Sequence, residues 1–403
     1  MQMHAQHGGG RGRRQEDANV AFRSPLLEEF RNSKDRKWTL KDIYGHVAEF
    51  STDQHGSRFI QQKIETADEE EMQMIFDEIM PKHAIELIQD VFGNYVIQKF
   101  LEHGNSAQKL LLASAMEGHI LALSLQMYGC RVVQKAIEYV PPEQQGVFVS
   151  ELTDHVLRCV KDANGNHVIQ RLIESVPSER LTFISAFQGH VNDLATHPYG
   201  CRVLQRCFEN LPEHQTRVLL SELQEHALLL GQDQFGNYVI QFVLEHGHPD
   251  DRAKIVARLR GQMLHMSRHK FASNVVEKAL VTADTSSRRA LIEEILTPRP
   301  DGSSPVVAMM RDQFANYVLQ RALIVADQDQ KEALVELIKP QLAAMRKSSH
   351  HHGRHLVAIP QLLTERIVVE RLVQKCTAAA ARETSAPADA AAIAEPASPS
   401  SVA

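Results

Sequence analysis

The chain has 403 residues, 43% hydrophobic and 23% charged, with 44 Lys and Arg against 50 Asp and Glu for a net charge of −6. That composition supplies a large core, lacks any apolar run near the roughly 18–20 residues that span a bilayer, and opens without the apolar stretch of a secretory signal. Five cysteines with no CxxC pair exclude a disulfide framework and a cysteine zinc site, so a reducing, cytoplasmic setting is expected.

The acidic balance argues weakly against a nucleic-acid binder, whose surface is usually basic overall. Pattern has to decide. In chain order, residues 1–24 are rich in Gly, Arg, Gln and Asp and are expected to be disordered. Residues 25–42 form a lead-in, and a repeat then fills about 43–338. Its register is marked by His46, His83, His119, His155, His190 and His226, spaced 37, 36, 36, 35 and 36 residues apart. Gln262 and Pro305 continue it, the last step lengthened to 43 by the turn-forming stretch Thr297 to Pro305. A degenerate cap is expected over about 339–376, and an unfolded tail rich in Ala, Pro and Ser over 377–403.

Each unit reads as three helical segments. The first is short and apolar, as in His119-Ile120-Leu121-Ala122-Leu123; the third is Leu-rich and follows a loop marked by Pro142, Pro177, Pro212 or Pro249. The second carries a motif such as FGNYVIQKF or YGCRVVQKA. Three short helices cannot bury their apolar faces alone, but stacked neighbours share a continuous core. The expected fold is therefore one all-α solenoid of eight repeats with degenerate capping segments, not several globules.

On a helix advancing about 100° per residue, Asn94, Tyr95 and Gln98 share one arc, while Val96, Ile97, Phe100 and Leu101 occupy the opposite side. The triplet is expected to face outward. Its first members are Ser57, Asn94, Cys130, Asn166, Cys201, Asn237, Ser273 and Asn316. The second are Arg58, Tyr95, Arg131, His167, Arg202, Tyr238, Asn274 and Tyr317, and the third Gln61, Gln98, Gln134, Gln170, Gln205, Gln241, Glu277 and Gln320. A merely wet surface would drift among Lys, Glu, Ser and Asp; a flat second residue beside an amide suits an unpaired base. Stacking is worth about 1–3 kcal/mol per base, enough over eight repeats without a basic protein. Lys99, Lys135, Arg171, Arg206, Lys278 and Arg321 follow the third member and either face phosphates or pair between repeats.

From about residue 25 to 340, including the lead-in SPLLEEFRN and all eight triplets, the sequence resembles the Pumilio/PUF family of RNA-binding repeat proteins. The resemblance implies a right-handed, crescent-shaped α-solenoid superhelix. It implies that the first and third members meet the base edge while the second stacks, and that RNA runs antiparallel to the chain. Glu277 with Ser273 then suits guanine, which offers two donors to an acceptor-only carboxylate. The four Asn/Gln units suit uracil, and Ser57/Gln61, Cys130/Gln134 and Cys201/Gln205 suit adenine, which needs a small residue opposite C2. The implied target is 5′-UGUAUAUA-3′ in messenger 3′ untranslated regions, with the weakest preference at His167. The resemblance further implies a monomeric post-transcriptional repressor that recruits deadenylase or translational-repression proteins on its convex face, with Pro298 to Pro305 a candidate docking loop. Pro360 is expected to break the closing helix.

No enzyme, cofactor, metal site or membrane partner is expected. The periodic histidines belong to the repeat, His350 to His352 form a compositional tract, and Glu277 is better explained by base recognition than by general-base chemistry. The alternative function is a protein-binding scaffold of armadillo or HEAT type. That alternative leaves the restriction of third members to Gln and Glu unexplained.

Overall fold

The computed structural model describes residues 23–33 and 35–347. The expected disordered segment before residue 23, the closing cap around Pro360 and the C-terminal tail lie outside the described residues. Among those described there is no strand, and no helix is long and apolar enough to cross a membrane. The chain divides into two compact units at Glu225 and His226.

The first unit holds the lead-in and five repeats. After a helix over Pro25–Asn32 and a 3-10 turn over Leu40–Ile43, the second helices of the repeats span Gln54–Ile64, Gly93–His103, Gly129–Tyr139, Gly165–Ser175 and Gly200–Asn210. Each packs against the next in that order. The second unit holds three repeats, whose second helices span Gly236–His246, Ala272–Thr282 and Ala315–Val325 and likewise pack in succession. The expected helical solenoid of eight repeats is what forms.

Repeat two shows why one unit needs its neighbours. Leu87 and Ile88 from its first helix, Val96, Ile97, Phe100 and Leu101 from the second, and Leu112, Ala113 and Met116 from the third are all buried. Fully burying a side chain the size of Leu or Phe contributes about 1.5–3 kcal/mol. The faces that bury them include both adjoining repeats.

The odd repeats enter their first helices through a left-handed glycine. In repeats one, three, five and seven, Gly45, Gly118, Gly189 and Gly261 adopt φ of 85°, 75°, 76° and 79°, a region that costs a residue with Cβ about 1–2 kcal/mol. That turn aims two N–H groups at a glutamate of the third helix. Gly45 and Val47 donate to Glu78, Gly118 and Ile120 to Glu151, Gly189 and Val191 to Glu222, and Gly261 and Met263 to Glu294. The otherwise orphaned donors of the first helix are satisfied in this way.

Two segments depart from expectation. The third segment of repeat four is not an α-helix but two 3-10 turns, Ser178–Arg180 and Thr182–Phe187. Pro177 and the non-helical Leu181 (φ −81°, ψ 70°) interrupt it, while Phe183, Ile184 and Phe187 still reach the core. In repeat eight the third helix runs from Gln328 to Lys347, through Pro340 and past the boundary expected near 338.

Candidate nucleic-acid interface

Seven triplets begin at the second residue of a second helix and that of repeat one at the fourth, and all eight helices are eleven residues long. The first members are not outward-facing as the helical wheel suggested. Ser57, Asn94, Cys130, Asn166, Cys201, Asn237, Ser273 and Asn316 are each at most 4% exposed. A wheel gives direction about one axis, whereas the adjoining helix covers this edge. The third members are half-buried, and the second members are exposed except His167, which is half-buried.

The four Asn units are built identically. In repeat two, Asn94 Nδ2 donates to the carbonyls of Asp90 at 2.9 Å and Val91 at 3.0 Å, while Gln98 Nε2 donates to Asn94 Oδ1 at 2.9 Å. Asn166/Gln170, Asn237/Gln241 and Asn316/Gln320 repeat that arrangement. The buried amide uses both its hydrogens on backbone, so its oxygen is left to hold the Gln. The Gln then presents its carbonyl and its second N–H, in fixed order, to the outside.

The other four units lack that chain. Ser57 donates to the carbonyl of Phe92 in the next repeat at 2.8 Å and accepts from Gln61 at 2.9 Å. Cys130 and Cys201 turn their thiols to the carbonyls of Met127 and Pro198, and Gln134 Nε2 donates to the Cys130 carbonyl at 2.9 Å. Ser273 donates to the Lys270 carbonyl at 3.3 Å. Glu277 lies 3.7 Å from Arg321 Nε; burial raises its carboxyl above the usual range, and the Arg321 charge opposes that rise.

At the second position, His167 lies where both Arg131 and Arg202 act on it. Burial lowers its pKa first, and the two guanidinium groups lower it further. The neutral form of its ring is therefore favoured. Within this unit the second members of successive repeats are thus electrostatic neighbours.

The basic residues after the triplet are committed to glutamates. Lys99 pairs with Glu65 at 2.7 Å and Glu102 at 3.1 Å, Lys135 with Glu102 at 2.9 Å and Glu138 at 3.6 Å. Arg171 bridges Glu138 and Glu174, both at 3.3 Å, and Arg206 continues to Glu174 at 3.0 Å. Lys278 meets Glu245 at 2.9 Å in the second unit. Of the two roles open to these cations, pairing between repeats is the one the structure shows. By contrast, Arg58, Arg131 and Arg202 form no ion pair among the described residues and remain the cationic groups at the triplets.

Sequence reasoning also passed over the side chains that seat these helices. Asp53 takes the N–H of His55 and Gly56, Asp90 those of Phe92 and Gly93, and Asp162, Asp233 and Asp312 do the same in repeats four, six and eight. In repeats five and seven a histidine replaces the carboxylate. His197 Nδ1 accepts from Tyr199 and Gly200, and His269 Nδ1 from Phe271 and Ala272. The signal was present, since each cap stands four residues before the first member.

The family model for the Pumilio-family RNA binding repeat matches residues 46–80, 83–115, 119–153, 155–185, 190–224, 226–260, 262–296 and 305–339. Pumilio homolog 12 of Arabidopsis thaliana is 32% identical over 263 residues, covering 64% of this chain and 44% of the relative. The chain spans less than half the length of the first curated relatives it matches. Among solved structures, the Puf3 RNA binding domain bound to a Cox17 RNA 3′ UTR recognition sequence (site A) is 42% identical with a TM-score of 0.73, covering 84% of this chain and 99% of that one. PUF-8 in complex with PBE-RNA is 34% identical with a TM-score of 0.79, covering 84% of this chain and 100% of that one.

Proposed function

The chain belongs to the Pumilio family of RNA-binding repeat proteins, and from that premise we propose that it binds single-stranded RNA sequence-specifically, one base to each repeat. The observation that carries this reading is the fourfold Asn–Gln chain. A buried Asn that fixes the order of donor and acceptor on a half-buried Gln edge has no use on a wet surface. It suits uracil, whose N3–H is flanked by carbonyl acceptors.

In the repeats with Ser or Cys first, the third residue meets adenine and the small first residue leaves room opposite C2. At Glu277 an acceptor-only edge meets the two donors of guanine. Tyr95, Tyr238, Tyr317, the guanidinium groups of Arg58, Arg131 and Arg202, the His167 ring and the Asn274 amide stack on or between bases. With the family's antiparallel polarity, the target is 5′-UGUAUAUA-3′, an element of messenger 3′ untranslated regions. By the same family likeness, the protein acts in the cytoplasm as a monomeric repressor of translation and mRNA stability, recruiting deadenylase or repression proteins.

The test is a titration of the protein with labelled UGUAUAUA and with the same RNA carrying ACUA in place of UGUA. A preference for the first of about thirtyfold or more is expected, since two changed bases cost about 1–3 kcal/mol each. Equal affinity would instead favour a protein-binding scaffold.

A further inference from the structure

Four cations of the first unit, Lys99, Lys135, Arg171 and Arg206, reach back to Glu65, Glu102, Glu138 and Glu174 of the preceding repeat. Each of these glutamates stands eight residues after a first triplet member and four after a third. Lys278 reaches Glu245 in the same way. Repeat seven breaks the rule, because its corresponding residue is Val281, 46% exposed. There the cation of the following repeat, Arg321, goes to Glu277 itself. Side chains four apart share one helix face, so the third member and the residue four beyond it lie side by side under the incoming cation. Whichever of the two is acidic receives it.

We propose that Arg321 is a positioning residue for guanine recognition by Glu277, and that the absence of an acid at position 281 is what brings it there. The proposal rests on reading Glu277 as the guanine contact. Guanine requires both carboxylate oxygens as acceptors, and a protonated carboxyl would offer only one beside an O–H. Burial favours that protonated form, and the Arg321 charge opposes it. Of the charged side chains on the helices packed against Ala272–Thr282, Arg321 is the one that acts on Glu277, since Lys278 on the same helix is turned to Glu245. Guanine specificity in this solenoid is thus set by four side chains in two repeats rather than by a triplet alone.

The experiment compares the binding of UGUAUAUA and UAUAUAUA by the wild type, Glu277→Gln, Arg321→Gln, Arg321→Lys and Val281→Glu, between pH 8 and 5.5. Arg321→Gln should lower the G-over-A preference by about tenfold, the scale of one base contact, and should lose it at higher pH than the wild type. Val281→Glu should do the same with Arg321 still present, because the new carboxylate draws the guanidinium away. Arg321→Lys should keep most of the preference. Discrimination of U from C at the first and third RNA positions should be unchanged, which separates the effect from general loss of fold. If Arg321→Gln and Val281→Glu both keep the wild-type preference and pH profile, the positioning role is overturned. Failure of the underlying reading shows separately, as a wild type indifferent to G or a Glu277→Gln variant that retains its preference.

Discussion

Gln170 donates through Nε2 to Oδ1 of Asn166 at 2.9 Å, and Asn166, fully buried, donates to the carbonyls of Asp162 and Ala163. One residue is therefore the anchor and the other the presented edge. Replacing Asn166 by Asp keeps the shape but sets oxygen against two carbonyl oxygens in a dry site. Losing two buried hydrogen bonds and leaving their acceptors unpaired should cost about 2–4 kcal/mol. Urea unfolding checks it. Asn166→Ser, a residue this chain itself uses at that position, should cost less while relaxing U preference at the fifth RNA base.

Exchanging Asn237 for Ser and Gln241 for Glu should move the preference at the third RNA base from U to G, discriminating by about 1–3 kcal/mol. Competition between the two RNAs measures it, and continued preference for U would reject the assignment of roles. Adding Glu245→Val should sharpen the change, because Lys278, now held at Glu245 at 2.9 Å, is then released toward position 241.

His197 holds the start of Gly200–Asn210 through a ring nitrogen that must be unprotonated to accept. Burial lowers its pKa from 6.5, and Lys161 adds to the effect. A folded value below the unfolded one means the contribution is complete above about pH 6.5. It then declines as pH falls through the depressed value. His197→Asp, the cap used in repeat four, should flatten the stability difference between pH 7 and 5 in thermal unfolding. His197→Ala should remove about 1 kcal/mol at neutral pH.

The ion-pair ladder makes a prediction about salt. Neutralising a lysine that contacts phosphate lowers the slope of log K against log salt by about one. Lys135, paired to Glu102 and Glu138, should give almost no change when replaced by Gln. Its partly exposed pairs should also contribute no more than about 1 kcal/mol to stability. Binding measured across a salt series settles whether RNA opens the ladder.

The repeat, its register and the three positions of the triplet were legible in the sequence because they are local. A spacing of 35 to 37 residues and a period of 3.6 require no knowledge of what lies beside a helix. The Asp and His caps were legible in principle too, standing four residues before the first member in every repeat but the third.

What lay beyond the sequence were the relations across repeats. Whether Lys99 meets a phosphate or a carboxylate depends on Glu65, 34 residues earlier, and whether Arg321 turns to Glu277 depends on the acid missing at 281. The burial of Asn94 has the same origin: its own helix sets the direction of the side chain, but the neighbouring helix decides whether water reaches it. Sequence alone therefore determined which side chains recur along this protein, and the stacking of one repeat on the next decided which of them are anchors, which are offered outward and which are neutralised. Charge and solvation act through space, over distances that helical periodicity does not encode.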